Sequence, residues 1–211
     1  MLLRVVLLLL FSVEVIRCDD VQQVKISLFY ETYCPYSIKF LSEQLYPTTK
    51  KLSKYIDLDL VPYGKATREM KDGHWIFNCQ HGDKECYGNK IHACALEQSK
   101  FKDNVDIVEL LDCFVQTKYE DEKIKSCCKA VNYNYDRLKR CMIAKSEELL
   151  AAYGDRTDGN DPKVTFVPLV MFDDYYNRTL DDEGTENLLE TVCKVLRPPL
   201  PKHCLNFYKI V

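Results

Sequence analysis

The chain of 211 residues contains no low-complexity tract, no internal repeat and no sustained run of basic charge. The first absence argues against disorder, because 46% apolar residues can supply a sizeable core. The third argues against nucleic acid as a partner. Here 29 basic side chains face 32 acidic ones, and the short clusters Lys50-Lys51 and Lys123/Lys125 are read as solvated helix faces. A long apolar run occurs only at the start, Val5 to Phe11, and nothing like it follows, so no membrane span is expected downstream. Arg4 precedes that run and Asp19-Asp20 follow it. The run is too short to cross a bilayer and has the flanks of a secretory leader, so residues 1–18 are expected to be a signal peptide rather than a buried strand. Residues 19–211 then form a single soluble domain.

What the chain has in quantity is cysteine, eleven in all and ten beyond Cys18. A secretory leader with this density implies an oxidising compartment and several structural disulfides. The candidates are Cys79, Cys86, Cys94, Cys113, Cys127, Cys128, Cys141, Cys193 and Cys204. Their spacing does not give the pairing. Cys127 and Cys128 are neighbours, and bridging neighbours distorts the peptide bond, so each should have a distant partner or stay free. Asn177-Arg178-Thr179 is an N-glycosylation sequon that fits the same secretory route and predicts a glycan on a surface loop.

Hydrophobic periodicity gives the organisation. Val24 to Tyr30 alternates as a half-buried strand does, and Cys34-Pro35 opens a helical pattern carrying Ile38, Leu41, Leu45 and Leu52, with a kink expected at Pro47. Ile56, Leu58 and Leu60 alternate again, completing a βαβ unit with parallel pairing. From about 79 to 155 the chain is helical and rich in cysteine. Helices are expected over Ala93 to Phe101, Val105 to Gln116 and Tyr135 to Ala152, with Gly154 as a stop. A Gly/Asp-rich loop over Asp155 to Asp161, a β-prone run from Val164 to Phe172, a turn and a helix from Gly184 to Leu196 complete the chain. This order predicts the α/β class: a thioredoxin-like fold with an inserted, disulfide-rich helical subdomain.

Cys34-Pro35-Tyr36-Ser37 is where this plan concentrates chemistry. At the first turn of a helix, backbone N–H groups and the helix dipole favour an anion, and the thiolate is the nucleophilic form of cysteine. A dithiol site needs a second cysteine three residues on to resolve the mixed disulfide. Ser37 stands there instead, and a hydroxyl forms no disulfide, although it can donate a hydrogen bond to the Cys34 thiolate. The expectation is a monothiol, weighed against the plainer reading that Cys34 is half of another disulfide. Val167-Pro168, at the edge of a β run, matches the second element of a thiol oxidoreductase site, in which a cis-proline (here Pro168) faces the cysteine and the residue before it offers backbone hydrogen bonds.

Residues 79–94 carry the most specific pattern: Cys79, Gln80, His81, Gly82, Glu85, Cys86, Asn89 and Cys94, or C-Q-H-G-x2-E-C-x2-N-x4-C. It resembles, at every fixed position, the signature of the gamma-interferon-inducible lysosomal thiol reductase family. The resemblance covers nearly all of the chain beyond the leader. It implies a thioredoxin-like fold with a helical insertion, glycosylation, and disulfide reduction on unfolding proteins in acidic endolysosomes. It also implies C-x-x-C where this chain has Cys34 and Ser37, so self-sufficient reduction is not expected here. Two other readings of the cluster compete with this one. Cys79, His81, Cys86, His92 and Cys94 lack the paired spacing of zinc sites, and no metal or cofactor is expected. His81 as a general base competes with a structural role in a Gln-His-Gly turn. Trp75 and Phe77 are read as packing residues.

Two functions follow. One is a monothiol oxidoreductase homologue, with disulfide-bearing proteins as partners and a small thiol such as glutathione as reductant, its activity weak, dependent on that thiol, or absent. The other is a non-catalytic binding protein on the same scaffold. Both place the protein in the secretory pathway, either extracellular or in the endolysosomal lumen.

Overall fold

A computed structural model of the chain describes residues 21–99 and 103–208. The expected signal peptide and Cys18 lie outside those residues. Strand β1 (Val24–Tyr30) leads through Cys34 into α1 (Pro35–Lys39), a π-helical turn over Phe40–Leu45, α2 (Tyr46–Leu52) and strand β2 (Ile56–Pro62). The expected kink at Pro47 takes a particular form. Proline cannot donate to the preceding turn, and the wider π turn lies just before it, with the Tyr46 N–H reaching the Leu41 carbonyl. Pro47 then occupies the first turn of α2, where its missing N–H is harmless.

Strands β1 and β2 pair in parallel, with Val24 opposite Ile56 and Leu28 opposite Leu60. Strand β5 (Leu169–Phe172) pairs antiparallel to β1, with Phe29 opposite Leu169, so β1 is the central strand of three. The alternation in β1 suggested one wet face, but both faces are covered. Ile26, Leu28 and Tyr30 join the main core with Leu41, Leu45 and Phe114, while Phe29 packs on the other face against Val61, Leu169 and Met171.

Between β2 and β5, among the described residues, lie a hairpin and five helices. The hairpin, β3 (Thr67–Lys71) and β4 (His74–Asn78), was not anticipated because β3 is charged and largely exposed. Its two-residue turn, Asp72-Gly73, has positive φ at both positions, the conformation that matches strand twist. Trp75 and Phe77 are half-buried on β4. The helices are α3 (Asp83–Ser99), α4 (Asn104–Gln116), α5 (Asp121–Ala130), α6 (Tyr135–Ala144) and α7 (Ser146–Asp158). Helix α3 begins at Asp83, well before Ala93, and α5 was not foreseen. The single helix expected from Tyr135 is two, separated at Lys145. Gly154 is no stop. It is buried within α7, and a Cβ there would lie 1.9 Å from Arg68 Nη1 and 2.9 Å from the Tyr63 ring. The glycine lets α7 lie close against those side chains, and Asp155 to Asp158 of the expected loop form the last turn of α7, leaving 159–161 outside it.

The remainder is α8 (Arg178–Glu186) and α9 (Leu188–Val195), which divide the expected final helix at Asn187 (φ −147°), whose side chain caps α9. Disulfides tie the helical part together. Cys94–Cys141 joins α3 to α6, Cys113–Cys127 joins α4 to α5, Cys79–Cys86 closes the loop leading into α3, and Cys193–Cys204 holds the tail to α9. Cys128, a disulfide candidate from sequence, is instead a buried free thiol. Successive helical residues point about 100° apart. Cys127 faces Cys113 on α4, while Cys128 points into the core beside it. Among the described residues no helix is long and apolar enough to cross a membrane.

Candidate thiol site

Cys34 is the N-cap of α1, with extended backbone (φ −68°, ψ 122°), and its carbonyl accepts from the Ile38 N–H at 3.0 Å. Its Sγ lies 3.9 Å from the Val167 carbonyl, and the Val167–Pro168 bond is cis. The loop before β5 therefore meets the helix start, although the two are far apart in sequence. Cys34 is free of any disulfide and only 7% exposed. Ser37, one turn along, is fully buried, and its Oγ accepts from the Glu31 N–H at 3.4 Å. The serine thus ties the helix back to the end of β1. Tyr36 is exposed beside it.

Two clefts flank this point. One of about 780 Å³ is lined by Tyr33, Ile38, Tyr87, Val115 and Tyr119, with Tyr33 and Tyr119 stacked at 5.6 Å. The other, about 610 Å³, runs past Tyr36, Phe40, Phe166 and Pro168 to Arg178 and Asp182. An apolar cleft and a mixed cleft thus lie on either side of the thiol.

A family profile described as "Gamma interferon inducible lysosomal thiol reductase (GILT)" matches residues 25–131. The chain belongs to the GILT family. Among its relatives, a gamma-interferon-inducible lysosomal thiol reductase-like protein of Anopheles gambiae is 33% identical over 94% of this chain and 87% of its own length. GILT-like protein 1 of Drosophila melanogaster is 31% identical over 93% and 84%. The mouse gamma-interferon-inducible lysosomal thiol reductase is 29% identical over 82% and 67%. In fold, the chain resembles the crystal structure of Chlamydia trachomatis DsbA, with a TM-score of 0.56 at 15% identity, covering 92% of this chain and 91% of that one.

The structure gives the GILT signature of this chain a physical role. Glu85, Asn89 and His92 recur at helical spacing on the face of α3 turned to the end of β1. Asn89 Oδ1 accepts from the Thr32 N–H, and the one hydroxyl proton of Thr32 is shared between Asn89 Oδ1 at 2.8 Å and the Glu85 carbonyl at 3.2 Å. The His92 ring bridges the hydroxyls of Tyr30 and Tyr119 at 2.9 and 3.1 Å. Burial holds the His92 pKa down at about 3, so the ring is neutral, with one donor and one acceptor nitrogen for its two partners. Gly88 lies between them, where a Cβ would strike Thr32 Oγ1 at 2.5 Å. Cys79 and Cys86 close the loop holding His81, and Cys94 anchors α3 to α6. Two signature positions, Glu85 through its main-chain carbonyl and Asn89 through its side chain, thus fix Thr32, two residues ahead of Cys34, while His92, which lies at a variable position of the signature, fixes Tyr30.

His81 donates its backbone N–H to Glu85 Oε1, and its Nδ1 is 2.5 Å from Glu85 Oε2 and 3.6 Å from Glu31 Oε2. The two carboxylates are fully buried. Burial pushes the Glu31 carboxyl up and the Glu85 charge adds to this, while the Lys65 backbone N–H on Oε1 pulls the other way. Cys79, Cys86 and Cys94 are consumed in disulfides and so are not zinc ligands, and His92 is held between tyrosines. Gln80 is exposed, and Gly82 has positive φ at the turn. Asn177 is exposed at the N-cap of α8, its Oδ1 accepting from the Leu180 N–H. Sequence reasoning missed Glu31, Thr32 and Tyr119. The one available signal was an acidic residue set among aromatics just before Cys34.

Proposed function

We propose that this GILT-family protein acts on disulfides through Cys34 alone, with an external thiol in place of a resolving cysteine. The supporting observation is the Cys34 Sγ set against the Val167 carbonyl of a cis Val167–Pro168 bond, between two open clefts, with a serine one turn on. The Cys34 thiolate attacks a substrate disulfide, forming a Cys34–substrate mixed disulfide and releasing the other substrate sulfur as a thiolate that takes a proton. One small-thiol molecule displaces the substrate by attacking the Cys34 sulfur. A second releases Cys34 and leaves as the oxidised small-thiol disulfide. The substrate gains two electrons and two protons from the two thiols, and the protein ends unchanged. Ser37, engaged with the Glu31 N–H, contributes no sulfur chemistry. A secreted or endolysosomal location, cleavage of residues 1–18 and a glycan on Asn177 belong to the same reading.

Insulin reduction with glutathione between pH 4.5 and 7 tests it. Turnover should depend on glutathione, vanish in Cys34→Ala, and become far less dependent on it in Ser37→Cys. Equal rates in wild type and Cys34→Ala would overturn the reading in favour of a binding protein whose thiol is a relic.

A further inference from the structure

We propose that Glu31, His81 and Glu85 form a divalent-cation site of the zinc class, built between the end of the sheet and the disulfide-closed loop that opens α3. One nitrogen and two carboxylate oxygens from these residues lie within 4.8 Å of one another. Their origins make the site a built one. Glu31 follows β1, three residues before Cys34, while His81 and Glu85 are held in place by the Cys79–Cys86 bridge and the first turn of α3. Gly64 leaves the space Glu31 occupies, since a Cβ there would fall 2.2 Å from Glu31 Cγ.

An independent observation points to a ligand. Glu31 is 0% exposed and its Oε2 has no hydrogen-bond partner, although it faces His81 Nδ1 at 3.6 Å. Its other oxygen is satisfied by the Lys65 N–H at 2.7 Å. A buried carboxylate oxygen without a partner is costly, and a second buried carboxylate beside it raises that cost. A divalent cation bound by Oε2, Glu85 Oε2 and His81 Nδ1 removes both penalties together. Imidazole with carboxylates is the donor set of borderline cations such as zinc. Two ligands of a tetrahedral zinc lie about 3.4 Å apart, so the Glu31–His81 spacing already suits one, and the His81–Glu85 contact opens by about 1 Å. The His81 side chain is 31% exposed, which leaves a route of entry and room for a water ligand.

The test is zinc titration by calorimetry of the full folded chain with disulfides intact, after chelator treatment, in a Cys34→Ala background so that the accessible thiol does not compete. Expected is saturable binding of one zinc per chain, weakened at least about tenfold by Glu31→Gln. X-ray absorption at the zinc edge should show nitrogen and oxygen neighbours without sulfur. If Glu31→Gln fails to fold, His81→Ala, at a partly exposed position, supplies the same comparison and should weaken zinc binding to a similar degree. Absence of saturable binding, unchanged affinity in folded Glu31→Gln, or sulfur in the zinc shell would overturn the proposal and leave a proton shared by the three side chains as the occupant. None of these readouts depends on disulfide reduction.

Discussion

The three-stranded sheet and the helical region between β2 and β5 are held together by different means. Strands β1, β2 and β5 contain no cysteine. Each neighbour is fixed by main-chain hydrogen bonds in a defined register and by side chains buried on both faces of β1. Helices satisfy their own main-chain groups internally, so their mutual placement falls to side-chain packing and to covalent ties. The helical region has the ties. Helix α5 buries only Ile124, Cys127 and Cys128, too little to dock a ten-residue helix by burial alone, and one of those three is cross-linked. The difference teaches where this fold can lose a disulfide and where it can lose a methyl group.

That contrast can be broken in graded steps. Replacing Cys94 and Cys141 together by alanine opens a closed loop with a sequence separation of 47. It should lower stability by about 4 kcal/mol in urea unfolding, the largest effect expected here. Leu28→Ala, at a fully buried position of β1, should cost about 3 kcal/mol without altering any disulfide. If the disulfide variant cost less than Leu28→Ala, the helical region would be docked by packing after all.

The seam between the regions gives a pH prediction. The folded His92 pKa of about 3 lies below the unfolded value of about 6.5, so its contribution is present above pH 6.5 and is lost as pH falls towards 3. Between pH 6.5 and 4.5 this amounts to a loss of about 2 kcal/mol. Glu31 and Asp181, both raised by burial, act in the opposite sense as pH falls, because the folded state binds their protons more readily. Comparing wild type with His92→Gln isolates the histidine. The variant should be less stable at pH 7 but lose less between those two pH values, and parallel curves would remove His92 from the account.

The smallest effect uses the two free thiols, one beside the sheet and one among the helices. Cys128 is 0% exposed, and burial pushes its thiol up to about 11, whereas Cys34 is 7% exposed, between Tyr33 of one cleft and Tyr36 of the other. Iodoacetamide at pH 8 followed by peptide mass spectrometry should label Cys34 in the native protein and Cys128 only after unfolding. Early labelling of Cys128 would show that the helical region opens locally.

Much of the site was legible in the sequence. Cys34-Pro35 at a helix start follows from a strand pattern, a proline suited to the first turn and a helical period, and residues 79–94 carry the family signature in their spacing. The hairpin was not legible, because its charged strand has no apolar face to give it away. Nor was the partition of 135–158 into α6 and α7, because a helical period continues across a break that tertiary packing imposes. Gly154 illustrates the limit: a glycine after a helical run suggests a stop, and only the nearness of Arg68 and Tyr63 shows that it is there for close contact.

By itself the sequence determined the parallel βαβ unit, the single thiol with serine in place of its partner, and the presence of the family signature, since each is a matter of local period or of residue identity. Tertiary structure alone decided which cysteines pair, that Cys128 stays free, that Ser37 turns towards Glu31, and that Glu85, Asn89 and His92 brace the residues ahead of Cys34. Those outcomes depend on distances between segments far apart in the chain, and spacing along a sequence does not encode them.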